Sequence, residues 1–208
     1  KYLRKGASLI DPTREQDVGP GEPPRGGTVY VGAADQNGMM VALIQSNYMG
    51  FGSGVVVPDT GISLQNRGTG FSLEHDHPNE VGGGKRPFHT IIPGFMTRDG
   101  APLATFGVMG GPIQPPAHVQ TVVRMNDYGM NPQAALDAPR FRVNAGHTID
   151  LEASAPPALR AGLIALGHAL ESVPDSYMDF GAGQVILKAD VGYIAASDPR
   201  RDGQAAGF

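Results

Sequence analysis

The chain has 208 residues, 16 of them basic and 20 acidic, for a formal net charge of −4, and it contains no cysteine. That length suits one domain or two very small ones. The acid excess argues against non-specific phosphate binding, and the missing cysteine excludes disulfides, a thiol nucleophile and a zinc–thiolate site. The 30 glycines and 18 prolines are unusually many and follow no period, so the sequence reads as turn-rich and globular rather than collagen-like or low-complexity. No apolar run approaches the roughly 18 residues of a membrane span, and no charged-then-apolar leader is legible at Lys1.

In chain order, Lys1–Ile10 reads as the last turn of something helical. Asp17 to Gly27 is built from helix and strand breakers and reads as an exposed linker. From Thr28 the pattern changes to strands. Val29, Val31 and Ala33 alternate, Asp35-Gln-Asn-Gly38 offers a tight turn, and Met39 to Gln45 is again apolar-rich, which is a hairpin signal. Ser63 to Thr90 has no period, and loops that long carry function or move. A second hairpin is expected at Gly94–Met96 and Leu103–Val108 around Arg98-Asp-Gly100. A third is expected at Val185–Lys188 and Tyr193–Ala196 around Ala189-Asp190. One helix is expected from about Ala117 to Tyr128, with Val119, Val122 and Val123 on one face and Gly129 as its stop. A short helix follows at Pro132–Asp137. Another follows Ser154, with Pro156 and Pro157 in its first turn, Leu159, Leu163 and Leu166 on one face, and Gly167 as its stop. Hairpins and helices in this order predict an α+β layered domain.

The chemistry-bearing candidates are few. Glu74-His75-Asp76-His77 carries borderline metal ligands, but it sits in a Pro/Asn-flanked loop with no second cluster, so a solvated loop is the reading and no metal is expected. His168 follows a helix stop and suits its dipole, and His118 lies near a helix start. Gly50-Phe-Gly-Ser-Gly54, Gly82-Gly-Gly84 and Gly110-Gly111 match neither a Walker loop nor a dinucleotide fingerprint. They read either as turns or, at Gly110-Gly111 between a strand and a helix, as N–H donors for an oxyanion. Gly26-Gly27 places an unhindered peptide bond before Thr28. A threonine whose own α-amine becomes free holds nucleophile and base in one residue, since that amine titrates at about 7.7–8.0.

Taken together, the chain resembles the gamma-glutamyltransferases (glutathione hydrolases) and their acylase-like relatives over most of Thr28 to Phe208. The motifs, in order, are Thr28 with Asp35 and Gly38; Phe51-Gly-Ser-Gly54 with Gly61-Ile62; Lys85-Arg-Pro87; Gly110-Gly111; Asn131-Pro-Gln-Ala-Ala-Leu-Asp-Ala-Pro-Arg-Phe141; and Ser197-Asp-Pro-Arg200 with Asp202-Gly203 and Gly207-Phe208. The resemblance implies an αββα sandwich of the N-terminal-nucleophile hydrolase type, completed by a large subunit. It implies self-cleavage after Gly27, making residues 1–27 the end of the large-subunit region plus linker and 28–208 the small catalytic subunit. The two would pair as a heterodimer, for which a dimer of heterodimers is one arrangement. Thr28 would be the nucleophile, Ser46 its hydroxyl partner, and Gly110 and Gly111 the oxyanion donors. An acyl-enzyme would pass to water or an amine with no cofactor, and neither nucleic acid nor membrane is implied as a partner.

The departures from the family pattern bear on the substrate. Arg67 and Gly70 stand where relatives carry an amide or acid and an Asp, His89 and Thr90 stand at a Ser pair, and Tyr48 stands at an Asn. The acid that would pair with a substrate ammonium is therefore absent and a cation stands nearby. Arg67 would either pair with an acid of the protein or hold a substrate carboxylate. The expected activity is hydrolysis of an amide of a small carboxylate-bearing acyl group, as in the acylase and oxamate amidohydrolase branch. The alternatives are a true gamma-glutamyl hydrolase or transferase acting on glutathione-like compounds, and a non-processed, non-catalytic homologue. The lack of cysteine does not choose between cytoplasm and periplasm.

Overall fold

A computed structural model describes residues 27–144, 146–173 and 180–208. The expected turn at Lys1–Ile10 and the linker as far as Gly26 lie outside them. The first hairpin pairs β1 (Thr28–Ala34) with β2 (Met40–Ser46), antiparallel, with Thr28 opposite Ser46 at its open end. Its turn closes as the sequence predicts. The Asp35 carboxylate accepts the N–H groups of Asn37 and Met39, both at 2.9 Å, and Gly38 takes a φ of 88°.

A second sheet has the order β3 (Gly94–Arg98), β4 (Ala101–Met109), β8 (Ala182–Lys188), β9 (Tyr193–Ser197), all antiparallel. These are the other two expected hairpins. The first hairpin stacks on this sheet through Tyr30 and Met40, both buried. Its inner face carries Thr28, Tyr30, Gly32 and Ser46. Its outer face leaves Val29, Val31, Val41 and Leu43 each about half exposed. On the far side of the four-stranded sheet pack α1 (Gln114–Asn126) and α2 (Pro132–Asp137). There Leu136 joins Phe106, Val185 and Ala196 in a core edged by Met96, Val122 and Met125.

Two helix readings need correction. Helix α1 starts at Gln114, with Pro115 and Pro116 in its first turn, and it buries Gln114, Ala117, His118, Gln120 and Thr121 while Val119 is 62% exposed. The polar residues go inward because each meets a backbone group there. Gln120 brackets both the N–H and the carbonyl of Phe141, Thr121 donates to the Ala117 carbonyl, and His118 accepts from Val108 N–H at 2.9 Å. Helix α3 (Pro157–Ala165) buries none of its residues, and Leu159 and Leu166 remain exposed.

The sequence pattern also missed a third sheet, in which β5 (Phe141–Val143) pairs antiparallel with β6 (Thr148–Glu152) and β6 pairs parallel with β7 (Ala169–Val173) through α3. Ser63–Thr90 is indeed largely irregular, with a 3-10 turn at Arg67–Gly70 and two isolated bridges, Val56 to Ser63 and Ser72 to Glu80. No helix among the described residues is long and apolar enough to cross a membrane.

Candidate active site

Thr28 opens β1 on the face that meets the second sheet, and the hairpin register sets Ser46 directly across from it. Their hydroxyl oxygens lie 2.9 Å apart. Ser46 Oγ also accepts the Tyr48 backbone N–H and an N–H of the Arg67 guanidinium, both at 2.9 Å. The guanidinium carbon stands 4.8 Å from the centre of the Tyr48 ring, a cation–π distance. Four of the expected site residues thus converge: Thr28, Ser46, Tyr48 and Arg67.

The loop that makes this possible is held on several sides. Tyr48 adopts a φ of 73°, a left-handed conformation that costs a bulky residue about 1–3 kcal/mol. It is over-determined by its bond to Ser46 and by Asn66, whose side chain accepts from Met49 N–H and whose N–H donates to the Asn47 carbonyl. Gly52 is required nearby, because a Cβ there would lie 2.3 Å from the Leu64 carbonyl oxygen. The Gly50–Gly54 cluster therefore serves a turn and a close chain approach.

Arg67 is 7% exposed, and its Nε is buried without a partner. Among the described residues no carboxylate pairs with it. Burial pushes its pKa down from the usual arginine value, with Tyr48 acting in the opposite direction. An unpaired buried cation is costly unless an anion joins it.

Gly110 and Gly111 form the corner between β4 and a 3-10 turn (Gly111–Ile113) leading into α1, with φ of 141° and 66°. The stacking of β1 on β4 shows where that corner lies. A Cβ at Gly107 would strike the Tyr30 ring at 2.2 Å, and one at Gly32 would touch the Thr105 methyl at 3.5 Å. Tyr30 is therefore opposite Gly107 and Gly32 opposite Thr105. Stepping back two residues to Thr28 moves along β4 toward Met109 and the glycine corner.

The remaining expected residues are less closely tied. Gly70 ends the 3-10 turn that bears Arg67. Asn79 donates to the Gly70 carbonyl at 2.6 Å and accepts Phe88 N–H at 2.7 Å, which brings the His89–Thr90 segment alongside. No hydrogen bond or ring contact among the described residues joins His89 or Thr90 to Thr28, Ser46, Tyr48 or Arg67; His89 instead accepts from Ile91 N–H. The His75, Asp76 and Glu80 side chains gather at the surface with ligand atoms within 4.8 Å of one another, His75 and Asp76 exposed, and His77 accepts from Asn79 N–H.

Sequence reasoning assigned no role to a buried ionic network beneath the glycine corner. Arg140 and Asp198 are both fully buried and pair at 2.5 Å. Arg140 also donates to the Phe180 and Gly181 carbonyls, and Asp198 accepts Gly183 N–H. Arg200 bridges Asp198 to Glu152 and donates to the Leu136 and Ala138 carbonyls. The Asn131–Phe141 and Ser197–Arg200 motifs supply most of these groups, so the signal lay in paired charges within otherwise apolar segments.

Two stacked sheets, a threonine opening the first strand between them and helices on one outer face define the architecture of an N-terminal-nucleophile hydrolase. The gamma-glutamyltranspeptidase family model matches residues 1–208, and the chain belongs to that enzyme family. It is 36% identical over 212 residues to the oxamate amidohydrolase proenzyme of Klebsiella pneumoniae, which covers 99% of this chain; the chain spans only 40% of that relative's length. The solved cephalosporin acylase from Bacillus halodurans superposes with a TM-score of 0.80 at 48% identity, over 86% of this chain and 34% of that one. The gamma-glutamyltranspeptidase from Pseudomonas nitroreducens complexed with L-DON superposes with a TM-score of 0.74 at 26% identity, over 86% of this chain and 98% of that one.

Proposed function

We propose that this chain carries the nucleophile of a self-processed threonine amidohydrolase or acyltransferase that cleaves amides of a small acyl group bearing a carboxylate. The carrying observation is Arg67, a buried cation with no carboxylate partner among the described residues, two hydrogen bonds from the Thr28 hydroxyl. In the precursor, Thr28 Oγ adds to the Gly27 carbonyl carbon, its proton moves to the Thr28 nitrogen as the C–N bond breaks, and water cleaves the resulting ester. The freed amine then serves as base for the same hydroxyl on an external amide. Gly110 and Gly111 supply N–H groups to the tetrahedral oxyanion, and the acyl-enzyme passes to water or an amine.

The proenzyme names of relatives such as oxamate amidohydrolase support self-processing. The Val29, Val31, Val41 and Leu43 face supports a covering layer from the large subunit of the same precursor. Arg67 favours a carboxylate where a gamma-glutamyl donor would present its ammonium.

Two measurements on the full-length protein test this. A fragment beginning at Thr28 is expected from the wild type and not from Thr28→Ala; an intact Thr28 chain would leave a non-catalytic homologue. Glutaryl anilide is expected to turn over faster than gamma-glutamyl anilide, and the reverse order would return the chain to the gamma-glutamyl hydrolases.

A further inference from the structure

Strand β4 keeps its β8 partner to its end, with Val108 opposite Gly183 and Met109 opposite Ala182. On its other edge the pairing with β3 stops at Phe106, opposite Gly94. Amides alternate sides along a strand, so the next N–H on that edge belongs to Val108. It donates to His118 Nε2 at 2.9 Å, and both residues are buried. The bond closes a loop of ten positions whose sharp turn is Gly110-Gly111, at φ of 141° and 66°. By the same alternation, the N–H after Val108 that faces this edge is that of Gly110.

We infer that His118 is a positioning residue for the oxyanion donors: its Nε2 takes the last β4 amide before the corner and so fixes where the Gly110 and Gly111 N–H groups point. The inference rests on the reading of those two groups as the oxyanion site. Two successive glycines leave a corner free to swing unless its ends are tied. Here β8 and His118 hold Val108 from its two sides, and Ile113 and Ala117 pack on it, so strand end and helix start move as one body. The imidazole is itself held by Phe106, with ring centroids 5.2 Å apart. Burial, with the Arg140 charge in support, lowers its pKa to about 4. Near neutral pH Nε2 therefore keeps its lone pair for the amide, and the ring hydrogen sits on Nδ1. Without an acceptor at 118 the Val108 N–H is left buried and unpaired. The strand end then shifts to find a partner and takes the glycine corner with it, and donors that are no longer aimed lose most of their effect on an oxyanion.

The test uses the full-length, self-cleaved protein with glutaryl anilide and with a boronic acid bearing the same acyl chain. Thr28 Oγ bonds to the boron, its proton passes to the free Thr28 amine, and a boron-bound oxygen takes the oxyanion position. His118→Leu is expected to lower kcat about tenfold or more while KM stays within about twofold, and to weaken boronate inhibition about tenfold. The inhibition constant does not depend on how much of the enzyme is folded, so lost stability alone does not move it. His118→Gln, whose amide oxygen reaches as far as Nε2, is expected to recover most of both. If His118→Leu does not fold, as its thermal midpoint would report, His118→Asn carries the comparison, because its amide reaches only as far as Nδ1.

Wild-type kcat and boronate inhibition in the variant without an acceptor overturn the inference, and so does His118→Gln falling as far as that variant. Gly181→Ala, which displaces the corner directly, then separates the two claims: weakened inhibition there leaves the oxyanion reading standing, and wild-type inhibition overturns it as well. A full-length chain that never releases the Thr28 fragment overturns the proposed function and the inference with it.

Discussion

Gly110 and Gly181 touch backbone to backbone: a Cβ on Gly110 would lie 2.8 Å from Gly181 Cα, and one on Gly181 would lie 2.1 Å from the Met109 carbonyl oxygen. The corner proposed to hold the oxyanion therefore rests on a second glycine that has no side chain to offer. Gly181 also sits at φ 66°, where any other residue is strained. Gly181→Ala is expected to cost about 2 kcal/mol or more. It should also lower kcat more than it raises KM, because it moves the donors rather than the acyl pocket. Thermal melts and steady-state kinetics of the full-length protein check both parts.

The Arg140–Asp198 pair holds that glycine from below, through the Phe180 and Gly181 carbonyls on one side and Gly183 N–H on the other. Both partners are fully buried; removing Asp198 strands the Arg140 charge, while removing Arg140 leaves Asp198 with Arg200 alone. Asp198→Leu alone is expected to destabilise by about 3–5 kcal/mol, and Arg140→Met alone by less, because Arg200 still pairs with Asp198. Arg140→Met with Asp198→Leu should lose clearly less than the sum of the two single losses, since the double replacement leaves neither partner's charge stranded. Urea unfolding of the three variants measures the difference.

His118 makes stability pH-dependent. Beyond Phe106, which pairs with Gly94 at the first residue of β3, strand β4 has no neighbouring strand on that edge among the described residues, and the His118 imidazole accepts the Val108 N–H there. Burial, with the Arg140 charge in support, lowers its pKa to about 4. Above pH 6.5 the ring is neutral in both folded and unfolded chains, and the fold keeps its full stability. As pH falls from 6.5 toward 4, the unfolded chain takes up a proton that the folded one refuses, so stability declines by about 3 kcal/mol in all. His118→Gln, which keeps an acceptor but cannot titrate, is expected to flatten that limb in denaturation midpoints measured between pH 7 and 4.

Glu152 acts in a lower window. Burial alone would raise its carboxyl, but hydrogen bonds from Arg200 and from Arg140 N–H, with both guanidinium charges, bring it below its usual value. Its contribution is present above about pH 4.5 and is lost as pH falls through the lowered pKa. Glu152→Gln is therefore expected to be less stable than the wild type at pH 6, with the gap narrowing below pH 4 in the same urea series.

The sequence by itself determined the features that are local in the chain. Asp35-Gln-Asn-Gly38 and Arg98-Asp-Gly100 specify their turns through side-chain capping and positive φ, and the hairpins follow from alternation on either side. Pro132, Pro157, Gly129 and Gly167 punctuate the helices for the same kind of reason. Thr28, Ser46 and the Gly110-Gly111 corner were legible through resemblance, and the turn chemistry places Thr28 opposite Ser46 because hairpin register is fixed by the loop.

Only the tertiary structure decided what depends on partners far along the chain. The inward face of α1 is polar because backbone groups of β4 and β5 wait there, which a period of apolar residues cannot report. The parallel β6–β7 pair is made through a crossover, not a turn. Arg67 reaches Ser46 across 21 positions, and Arg140 reaches Asp198 across 58. Charge is expensive to bury alone and stable to bury in company, and which residues keep company is settled when the layers close.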